Sequence, residues 1–600
     1  MRILLLIATF ISTIARGGIP QTVSEISKDF DPRADDLETE VIREWTEESI
    51  KFRVVRYLVG TFRGAKSRVA AFHAYPLNAE EKLPGVLHMH GGGQRASLSQ
   101  VKYYASRGYS SLSINWGGRE MERAKTGDLN TDWGTVDPTQ KNVPGYFNLL
   151  PGEKFANTIE SPRNCNWYLL TLAGRRGITF LERQPEVDAN RIGIQGHSMG
   201  GNLTIYVAGT DSRVKAASPS VGGSGFRTQS RNGLPPQIRK VTGSRELFYR
   251  TMGYENYAPL ITAPVLHLGA CNDFHGQMDD TYATGELIPN QNAVRYSFAP
   301  HHNHRFFPEQ QIARPLWFDQ HLKGSFRLPA TPELHLSLET DTVPRVILRP
   351  DRSIPISRVH IYYSIDVDAR SRFWRRAELE SDGKSWTAIL PIMNADHHLF
   401  AFANVYYRLA KPEFLPRNSS IDEVCLSSKF WSVAPKELKE RRTLTTDQPT
   451  RIIDDFKHGW HDWYPINAGH KPLWQYWTRK VTDPKWRGPE GAKLALTLKM
   501  PDTNELIVVL KENTWRNYRG KAETYIALKE IHGEPEQQTV LFDLAEFKSS
   551  KGKSPKDWTQ LDELGLCAKY ELRPRGGERK SFGDGKWKGD LPKFVRLEWK

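Results

Sequence analysis

Two patterns of hydrophobic and polar positions divide this chain. From about residue 50 to residue 325, short apolar runs alternate with stretches whose apolar residues recur at helical spacing, which is typical of a mostly parallel sheet covered by helices. The predicted strands are Val69–Tyr75, Gly85–Met89, Tyr109–Asn115, Arg191–Gln195, Val214–Ser218, Pro264–Gly269 and Ala293–Phe298, and the predicted helices include Asn166–Arg183, Gly201–Ala208 and Pro308–Leu322. We therefore predict an α/β domain over residues 21–325.

Beyond this domain the periodicity changes to that of β-strands separated by polar turns. Val359, Ile361 and Tyr363 alternate onto one face of such a strand. The pattern predicts an immunoglobulin- or fibronectin-like β-sandwich over residues 326–435, whose expected role is to pack against the first domain. A polar linker over 436–450 and a second β-sandwich over 451–600 complete the prediction.

The first fifteen residues have the pattern of a signal peptide. One positive charge at Arg2 precedes a short apolar core, and small residues follow at Thr13 and Ala15. A buried N-terminal strand or helix is the alternative. The pattern favours a secreted or periplasmic protein without stable membrane insertion, because no later segment reaches the length of an apolar spanning helix.

Composition narrows the class of partner. The chain has 600 residues and a net charge of +14, and its charges are scattered rather than gathered into a patch. This distribution argues against nucleic-acid binding, which requires a basic stripe, and leaves a solvated surface or an anionic glycan partner. The four cysteines are widely separated, so we expect buried free thiols rather than a disulfide framework.

The strongest chemical motif is Gly196-His197-Ser198-Met199-Gly200. It lies between a predicted strand and a predicted helix, the context in which a sharp turn exposes a nucleophilic serine hydroxyl. Glycines flank the serine because bulky side chains would collide in so tight a turn. An ordinary glycine-rich turn is the alternative interpretation of the motif taken alone.

A glycine-rich loop, His90-Gly91-Gly92-Gly93, follows the strand that ends at Met89. Glycines let backbone N–H groups approach a substrate oxyanion closely. The N–H groups of Met199 and Gly92 are the candidate oxyanion donors.

The acid and the base of a catalytic triad are expected after later strands. Asp273 follows the strand two after the serine strand and is preferred to Asp279 and Asp280. The histidine is expected after the last strand, where His304 is preferred to His302 and His301. Ser198, Asp273 and His304 thus follow one another along the chain in the order nucleophile, acid, base. This is the order expected when a serine of this motif lies in an α/β domain.

Two further groups of residues have candidate roles near this site. Several histidines, His90 among them, lie at predicted strand ends. They are more consistent with polar residues lining the entrance of an active site than with a metal centre, because no metal-binding spacing is present. We predict no metal and no cofactor. Trp133 lies in a long insertion over residues 116–162, which is either a substrate-binding loop or an irregular surface excursion.

Residues 65–325 resemble an α/β-hydrolase of the dienelactone hydrolase and acetyl xylan esterase type. The resemblance rests on the His90–Gly93 loop, the Gly196–Gly201 motif, Gly269 through Asp273, and Asn303-His304. It implies a serine esterase that removes acyl groups, with acetyl as the expected group, from a polysaccharide or oligosaccharide. Met199 stands where acetyl xylan esterases often carry Gln, so the resemblance bears more on fold than on substrate.

The last module is rich in tryptophan and resembles the jelly-roll carbohydrate-binding domains of secreted glycan enzymes. Exposed rings can stack on sugar faces, whereas buried rings fill a sandwich core, which is the default for each tryptophan. Trp515 and Tyr518, in a polar run, are the candidates for exposure and sugar contact.

Two other functions are compatible with parts of this pattern. A serine peptidase of the prolyl oligopeptidase type would use the same triad, but those enzymes usually place the hydrolase domain last. A catalytically silent carbohydrate-binding or scaffold protein is the second alternative, and the full set of triad residues argues against it.

Overall fold

The computed structural model of the chain describes residues 18–28, 30–62, 64–134, 158–159, 161–223, 241–416, 419–466, 473–516, 521–572 and 578–600. The predicted signal peptide over residues 1–15, most of the far half of the 116–162 insertion, and Tyr518 lie outside the described residues.

The first domain is a nine-stranded sheet with helices on both faces. Its strands are β1 (Glu40–Glu47), β2 (Ile50–Phe62), β3 (Ala65–Pro76), β4 (Leu83–Met89), β5 (Ser110–Ile114), β6 (Val187–His197), β7 (Val214–Ser220), β8 (Val265–Ala270) and β9 (Val294–Ala299). Its helices are α1 (Val23–Ser27), α2 (Leu98–Ser106), α3 (Asn166–Glu182), α4 (Met199–Ala208), α5 (Arg245–Met252), α6 (Tyr254–Tyr257), α7 (Met278–Gly285), α8 (Pro308–Gln311) and α9 (Ala313–Phe318).

The strand order is β1-β2-β3-β5-β4-β6-β7-β8-β9, with antiparallel pairing from β1 to β5 and parallel pairing from β5 to β9. The carboxyl ends of β4, β6, β8 and β9 therefore lie along one edge of the sheet, where ligands bind in open α/β folds. This architecture confirms the predicted α/β-hydrolase fold.

Each strand predicted from the sequence is present, with ends shifted by a few residues. The sequence pattern missed β1 and β2, in which charged side chains interrupt the apolar run, as in Glu40, Arg43 and Glu44 of β1. The predicted helix Pro308–Leu322 is divided into α8, α9 and a π-helical turn, Asp319–Lys323.

The middle module is a two-sheet structure that extends the hydrolase sheet. Its strands are β10 (Glu333–Ser337), β11 (Arg345–Arg349), β12 (Ile356–Ser364), β13 (Arg375–Arg376), β14 (Glu380–Ser381), β15 (Trp386–Ile389), β16 (Leu399–Phe414), β17 (Ser420–Ser427) and β18 (Trp431–Val433). Strand β17 pairs with β9 of the hydrolase through Ser427 and Tyr296, so β17, β16, β12 and β13 continue the hydrolase sheet. The strands β10, β11, β15 and β14 form the second sheet.

The middle module also shares a hydrophobic core with the hydrolase. Tyr104 of α2 and Phe318 of α9 belong to the same buried cluster as Val359 and Ile361 of β12. The opposite face of the hydrolase sheet has a separate cluster around α3 and α4, with Trp167 and Leu203 fully buried.

The segment predicted as a linker over 436–450 is held in place. The segment includes most of helix α10 (Pro435–Glu440). Leu438 of this helix is fully buried. Asp447 forms ion pairs with Arg375 at 2.7 Å and with Lys485 at 2.6 Å. These contacts, which polar composition does not reveal, hold the predicted linker between the middle and third modules.

The strands of the third module are β19 (Ile452–Asp454), β20 (Tyr464–Ile466), β21 (Gln475–Thr478), β22 (Leu494–Met500), β23 (Asn504–Glu512), β24 (Glu523–Ile531), β25 (Glu534–Phe542), β26 (Leu561–Cys567), β27 (Tyr570–Leu572), β28 (Lys580–Phe582) and β29 (Lys593–Trp599). They form two antiparallel sheets, β19-β29-β22-β25 and β20-β21-β26-β23-β24, and a two-stranded sheet of β27 and β28. Most of its tryptophans serve the core: Trp463, Trp474, Trp477, Trp558 and Trp599 are buried, and the other four are half-buried.

Candidate active site

Ser198 occupies a strained turn between β6 and α4. Its φ of 59° and ψ of −117° lie in a region that non-glycine residues rarely adopt. The flanking glycines are required by close packing: a Cβ on Gly196 would lie 2.1 Å from the Gly200 carbonyl oxygen, and one on Gly200 would lie 1.9 Å from that of Met89. The turn leaves Ser198 half-exposed at the carboxyl edge of the sheet.

Asp273 and His304 form a hydrogen-bonded pair at the same edge. Asp273 follows β8, His304 follows β9, and His304 Nδ1 lies 2.7 Å from Asp273 Oδ2. The other carboxylate oxygen of Asp273 accepts backbone N–H groups from His275 at 2.7 Å and Gly276 at 2.5 Å. Asp273 is fully buried, so its carboxylate is fixed by three hydrogen bonds and holds the imidazole in one orientation.

The three histidines of this loop have different surroundings. His304 keeps 23% of its side chain exposed, whereas His301 and His302 are buried. The ring of His301 stacks on Phe373 and the ring of His302 on Phe307. Burial lowers the pKa of His301 to about 4 and that of His302 to about 3, so both are neutral packing residues.

His197 connects the serine turn to His304. The two rings have centroids 5.1 Å apart, and Ser198 follows His197 directly. The Ser220 hydroxyl donates to the Gly196 carbonyl at 2.9 Å, so it accepts at 3.2 Å from His197 Nδ1, which therefore carries the proton. Burial, together with the neighbouring His304, lowers the pKa of His197 well below its usual value. His197 thus adds no positive charge beside His304.

The glycine loop after β4 is ordered by its own side chains. The Gly91 N–H donates to Gln94 Oε1 at 3.0 Å, which withdraws it from the substrate, whereas Gly92 is half-exposed. Met199 is the first residue of α4, where a backbone N–H has no acceptor within the helix. Gly92 and Met199 therefore stay the predicted oxyanion donors.

His90 and Trp133, the candidate substrate contacts of the hydrolase domain, are buried. His90 stacks on Trp116 with centroids 4.3 Å apart, donates from Nδ1 to the Gly91 carbonyl at 2.7 Å, and accepts at Nε2 from the Gly117 N–H. Trp133 is fully buried, and its indole N–H donates to the Trp116 carbonyl at 3.2 Å. Neither ring has an exposed face, so contact of these two side chains with substrate stays a prediction from the sequence alone.

Trp515, the third candidate substrate contact, retains part of its surface. It is half-buried, its backbone N–H donates to Asp562 at 2.6 Å, and its ring lies beside the guanidinium of Arg479 at 5.8 Å. Trp515 is therefore held rigidly on the side of the third module that carries Arg479.

Contacts from both β modules reach the two loops of the Asp273–His304 pair. Asn272 Nδ2 donates to the backbone carbonyls of Ala369 at 3.0 Å and Arg372 at 2.6 Å in the middle module. Arg479 of the third module donates to the His301 carbonyl at 2.7 Å. Sequence reasoning missed Asn272 and Arg479, because nothing in either local sequence indicates a contact about one hundred residues or more away.

The described residues contain neither a metal-binding cluster nor a membrane-spanning helix. No group of three or more His, Cys, Asp or Glu side chains there could hold a metal ion. No described helix is long and apolar enough to span a membrane.

Two family models match the hydrolase part of the chain. Residues 31–222 match acetyl xylan esterase (AXE1), and residues 172–321 match the dienelactone hydrolase family. Acetyl esterase Axe7A of Xylanibacter ruminicola is 24% identical over 256 residues, which are 40% of this chain and 54% of that protein. The chain thus matches about half the length of this curated relative.

Solved structures of esterases are also similar. The acetyl xylan esterase from Paenibacillus sp. R4 is 20% identical with a TM-score of 0.35, covering 50% of this chain and 92% of its own. Acetyl xylan esterase 1 from Thermoanaerobacterium sp. is 17% identical with a TM-score of 0.33, covering 48% and 88%. With the strand order and the two family matches, residues 31–321 are an α/β-hydrolase domain of the acetyl xylan esterase and dienelactone hydrolase type, followed by antiparallel β-sheet domains.

Proposed function

We propose that this protein is an exported serine carboxylesterase that removes acetyl groups from a polysaccharide or oligosaccharide through an acyl-enzyme intermediate. The observation that carries the proposal is the strained Ser198 turn at the sheet edge where Asp273 and His304 are hydrogen-bonded at 2.7 Å. The match of residues 31–222 to acetyl xylan esterase supports the acetyl ester, and the name of the curated relative agrees with it.

In the first step Ser198 attacks the ester carbonyl while His304 takes its proton. An ionised Asp273 can only accept hydrogen bonds, so His304 donates from Nδ1 and presents a free lone pair at Nε2. The buried carboxylate stabilises the imidazolium that forms, and His304 then passes the proton to the leaving sugar hydroxyl. Water repeats the sequence on the acyl-enzyme and releases the acid.

Negative charge on the tetrahedral intermediate requires fixed donors. The N–H of Met199 at the start of α4 and the N–H of Gly92 are the proposed pair, and the positive end of the helix dipole favours the same charge. The mechanism uses no metal and no cofactor.

The third module is the proposed glycan-contacting part of the chain. Trp515 is half-buried beside Arg479, whose guanidinium reaches the loop of His304, so a sugar stacked on this ring would lie on the side of the module that faces the hydrolase. The N-terminal sequence pattern of a signal peptide supports the proposed export.

The test compares acetate release from acetylated xylan and other acetylated glycans by the wild type and Ser198→Ala. We expect release by the wild type and loss of nearly all of it in the variant. Ser212→Ala is the matched control, because it removes an exposed hydroxyl of the same domain at the amino end of β7, on the sheet edge opposite the proposed nucleophile. A peptide-amide substrate is included, and cleavage of it in preference to every acetyl ester would contradict the esterase assignment.

A further inference from the structure

A cavity of about 270 Å³ lies directly behind the serine turn. Gln94 of the glycine loop, His197 and Phe306 line its catalytic side, and Phe306 lies 5.9 Å from the His197 ring. Gln195 of β6 and Arg314 of α9 line it deeper in the domain, and Leu415 of the middle module contributes to its wall. The cavity is therefore separate from Ser198 but adjacent to it.

The polar groups of this cavity are incompletely paired. Arg314 donates from Nε to Ser218 Oγ at 3.2 Å and from Nη1 to Gln195 Oε1 at 3.0 Å, while its Nη2 is buried without a partner among the residues described. Gln195 is fully buried, and its Nε2 likewise has no acceptor in the described structure. Two buried donors on neighbouring side chains thus lack an acceptor.

Arg314 differs in its partners from four deeply placed arginines, Arg176, Arg372, Arg375 and Arg479. Arg372 pairs with Asp279 at 2.8 Å, Arg375 with Asp483 at 2.6 Å, and Arg479 with Glu563 at 2.8 Å. Arg176 has no carboxylate, but it is satisfied by the backbone carbonyls of Leu58, Pro32, Asp35 and Asp36. Within the described part of the chain Arg314 has neither kind of compensation, which is costly for a charge removed from water.

The charge of the cavity is positive. Its lining, as far as the described residues form it, contains Arg95 and Arg314 and neither aspartate nor glutamate. Burial lowers the pKa of His88 to about 3, and the pKa of His197 is also well below its usual value, so both of these lining histidines are neutral. The field therefore comes from the two arginines and favours an anion.

We propose that this cavity is a carboxylate subsite beside the proposed catalytic serine. A planar carboxylate matches the guanidinium fork and supplies the acceptor that Arg314 Nη2 and Gln195 Nε2 lack. The carboxylate comes either from a uronic acid residue of the acetylated glycan or from the acetate released by the reaction. The inference rests on the proposed function for its place in catalysis, but carboxylate binding itself is independent of activity.

Calorimetric titration of the full-length wild type and Ser198→Ala at constant ionic strength tests the binding. The probes are sodium glucuronate, sodium acetate and, as the uncharged control, glucose. Binding of glucuronate alone identifies the substrate as the source, and binding of acetate alone identifies the product. Failure of both carboxylates to bind, or equal binding of glucose, overturns the proposal.

Variants then locate the site. Arg314→Met is expected to weaken carboxylate binding at least about tenfold, because a charge-assisted hydrogen bond is lost. Arg352→Met, which removes a charge from a side chain lying over Trp386 in the middle module, is the control and should bind as the wild type does. Equal binding by Arg314→Met and the wild type would contradict the assignment. If Arg314→Met does not fold, Arg314→Lys and the wild-type titrations still decide the question.

Kinetics separate this inference from the proposed function. With uronate as the source, Arg314→Met should lower kcat/KM about tenfold on an acetylated, uronate-bearing oligosaccharide and leave an acetylated neutral one within twofold. With acetate as the source, the same variant should raise the inhibition constant for acetate about tenfold. An equal loss on both substrates, without a change in inhibition, would indicate a structural role only. If the chain binds carboxylates but has no esterase activity, the proposed function is contradicted and the carboxylate subsite is not.

Discussion

Arg479 of the third module donates a hydrogen bond of 2.7 Å to the backbone carbonyl of His301, three residues before His304. The guanidinium is itself held by Glu563 at 2.8 Å, and both side chains are almost fully buried. Lys511 pairs with the other oxygen of Glu563 at 2.6 Å. A distant β module therefore fixes the loop that carries the proposed catalytic base.

Arg479→Met should reduce kcat about tenfold with little change in KM, because the His304 loop loses an anchor while the substrate surface is kept. The free energy of unfolding should fall by about 3 kcal/mol, since a buried ion pair loses one partner. Arg442→Met, at an exposed pair with Asp341, is the control and should change neither quantity. Steady-state kinetics well below the unfolding temperature, with Arg479→Lys as the conservative variant, check this. Destabilisation at unchanged kcat would show that the contact is only structural.

Asp273→Asn should lower kcat by a factor on the order of 10⁴, because an amide cannot stabilise the imidazolium and favours the wrong tautomer of His304. The fold should survive, since an amide oxygen can still accept the N–H groups of His275 and Gly276. Kinetics and thermal unfolding of the same preparation measure both effects. Asp280→Asn, an alternative from the sequence, should retain activity, and the reverse ranking of these variants would refute the assignment of the acid.

His267 gives the fold a dependence on pH. Its ring is fully buried in β8, stacks on Tyr296 with centroids 5.5 Å apart, and has neither nitrogen hydrogen-bonded within the described structure. Burial lowers its pKa to about 3. Between pH 6.5 and pH 3 the unfolded chain binds a proton at this residue that the folded chain does not, so stability falls as the pH decreases.

His267→Leu should therefore reduce the loss of unfolding free energy between pH 7.5 and pH 5 by about 2 kcal/mol. Urea unfolding at the two pH values measures the difference, and His397→Leu, at an exposed position, is the control. An unchanged pH dependence in His267→Leu would mean that the buried ring does not titrate on unfolding.

Trp133→Ala should act on stability rather than on substrate affinity. The ring is fully buried and packed in the hydrolase core, so its removal leaves a cavity and should lower the free energy of unfolding by about 3–5 kcal/mol. Trp587→Ala is the control. Because Trp587 is only half-buried, this substitution should lower the free energy of unfolding by less. Denaturant unfolding, together with KM measured on the folded fraction, checks this. A large rise in KM at unchanged stability would restore Trp133 as a substrate contact.

The parallel strands could be predicted from the sequence, because a strand that is buried on both faces is a continuous run of apolar residues. The same pattern located Ser198, Asp273 and His304, since each follows the carboxyl end of such a strand. It failed for β1, where charged side chains interrupt the apolar positions. It also predicted substrate contacts for Trp133 and His90, which are buried in the structure, because a residue in a long loop or at a strand end carries no local signal of burial.

The relation between the modules could not be predicted from the sequence. Pairing of Ser427 with Tyr296 extends the hydrolase sheet into the middle module, and Arg479 reaches the His301 carbonyl from the third. Contacts of this kind join residues about one hundred or more positions apart and depend on how the modules dock. Buried polar groups such as Arg314 Nη2 become apparent only when their surroundings are known.

In the proposed mechanism Ser198 carries the acyl group during turnover. The most direct measurement is a rapid acid quench of the enzyme with an activated acetyl ester, followed by peptide mapping by mass spectrometry. We expect an acetyl group on the peptide that contains Ser198, no such adduct in Ser198→Ala, and loss of steady-state acetate release in that variant. Undiminished acetate release by Ser198→Ala would contradict the proposed mechanism.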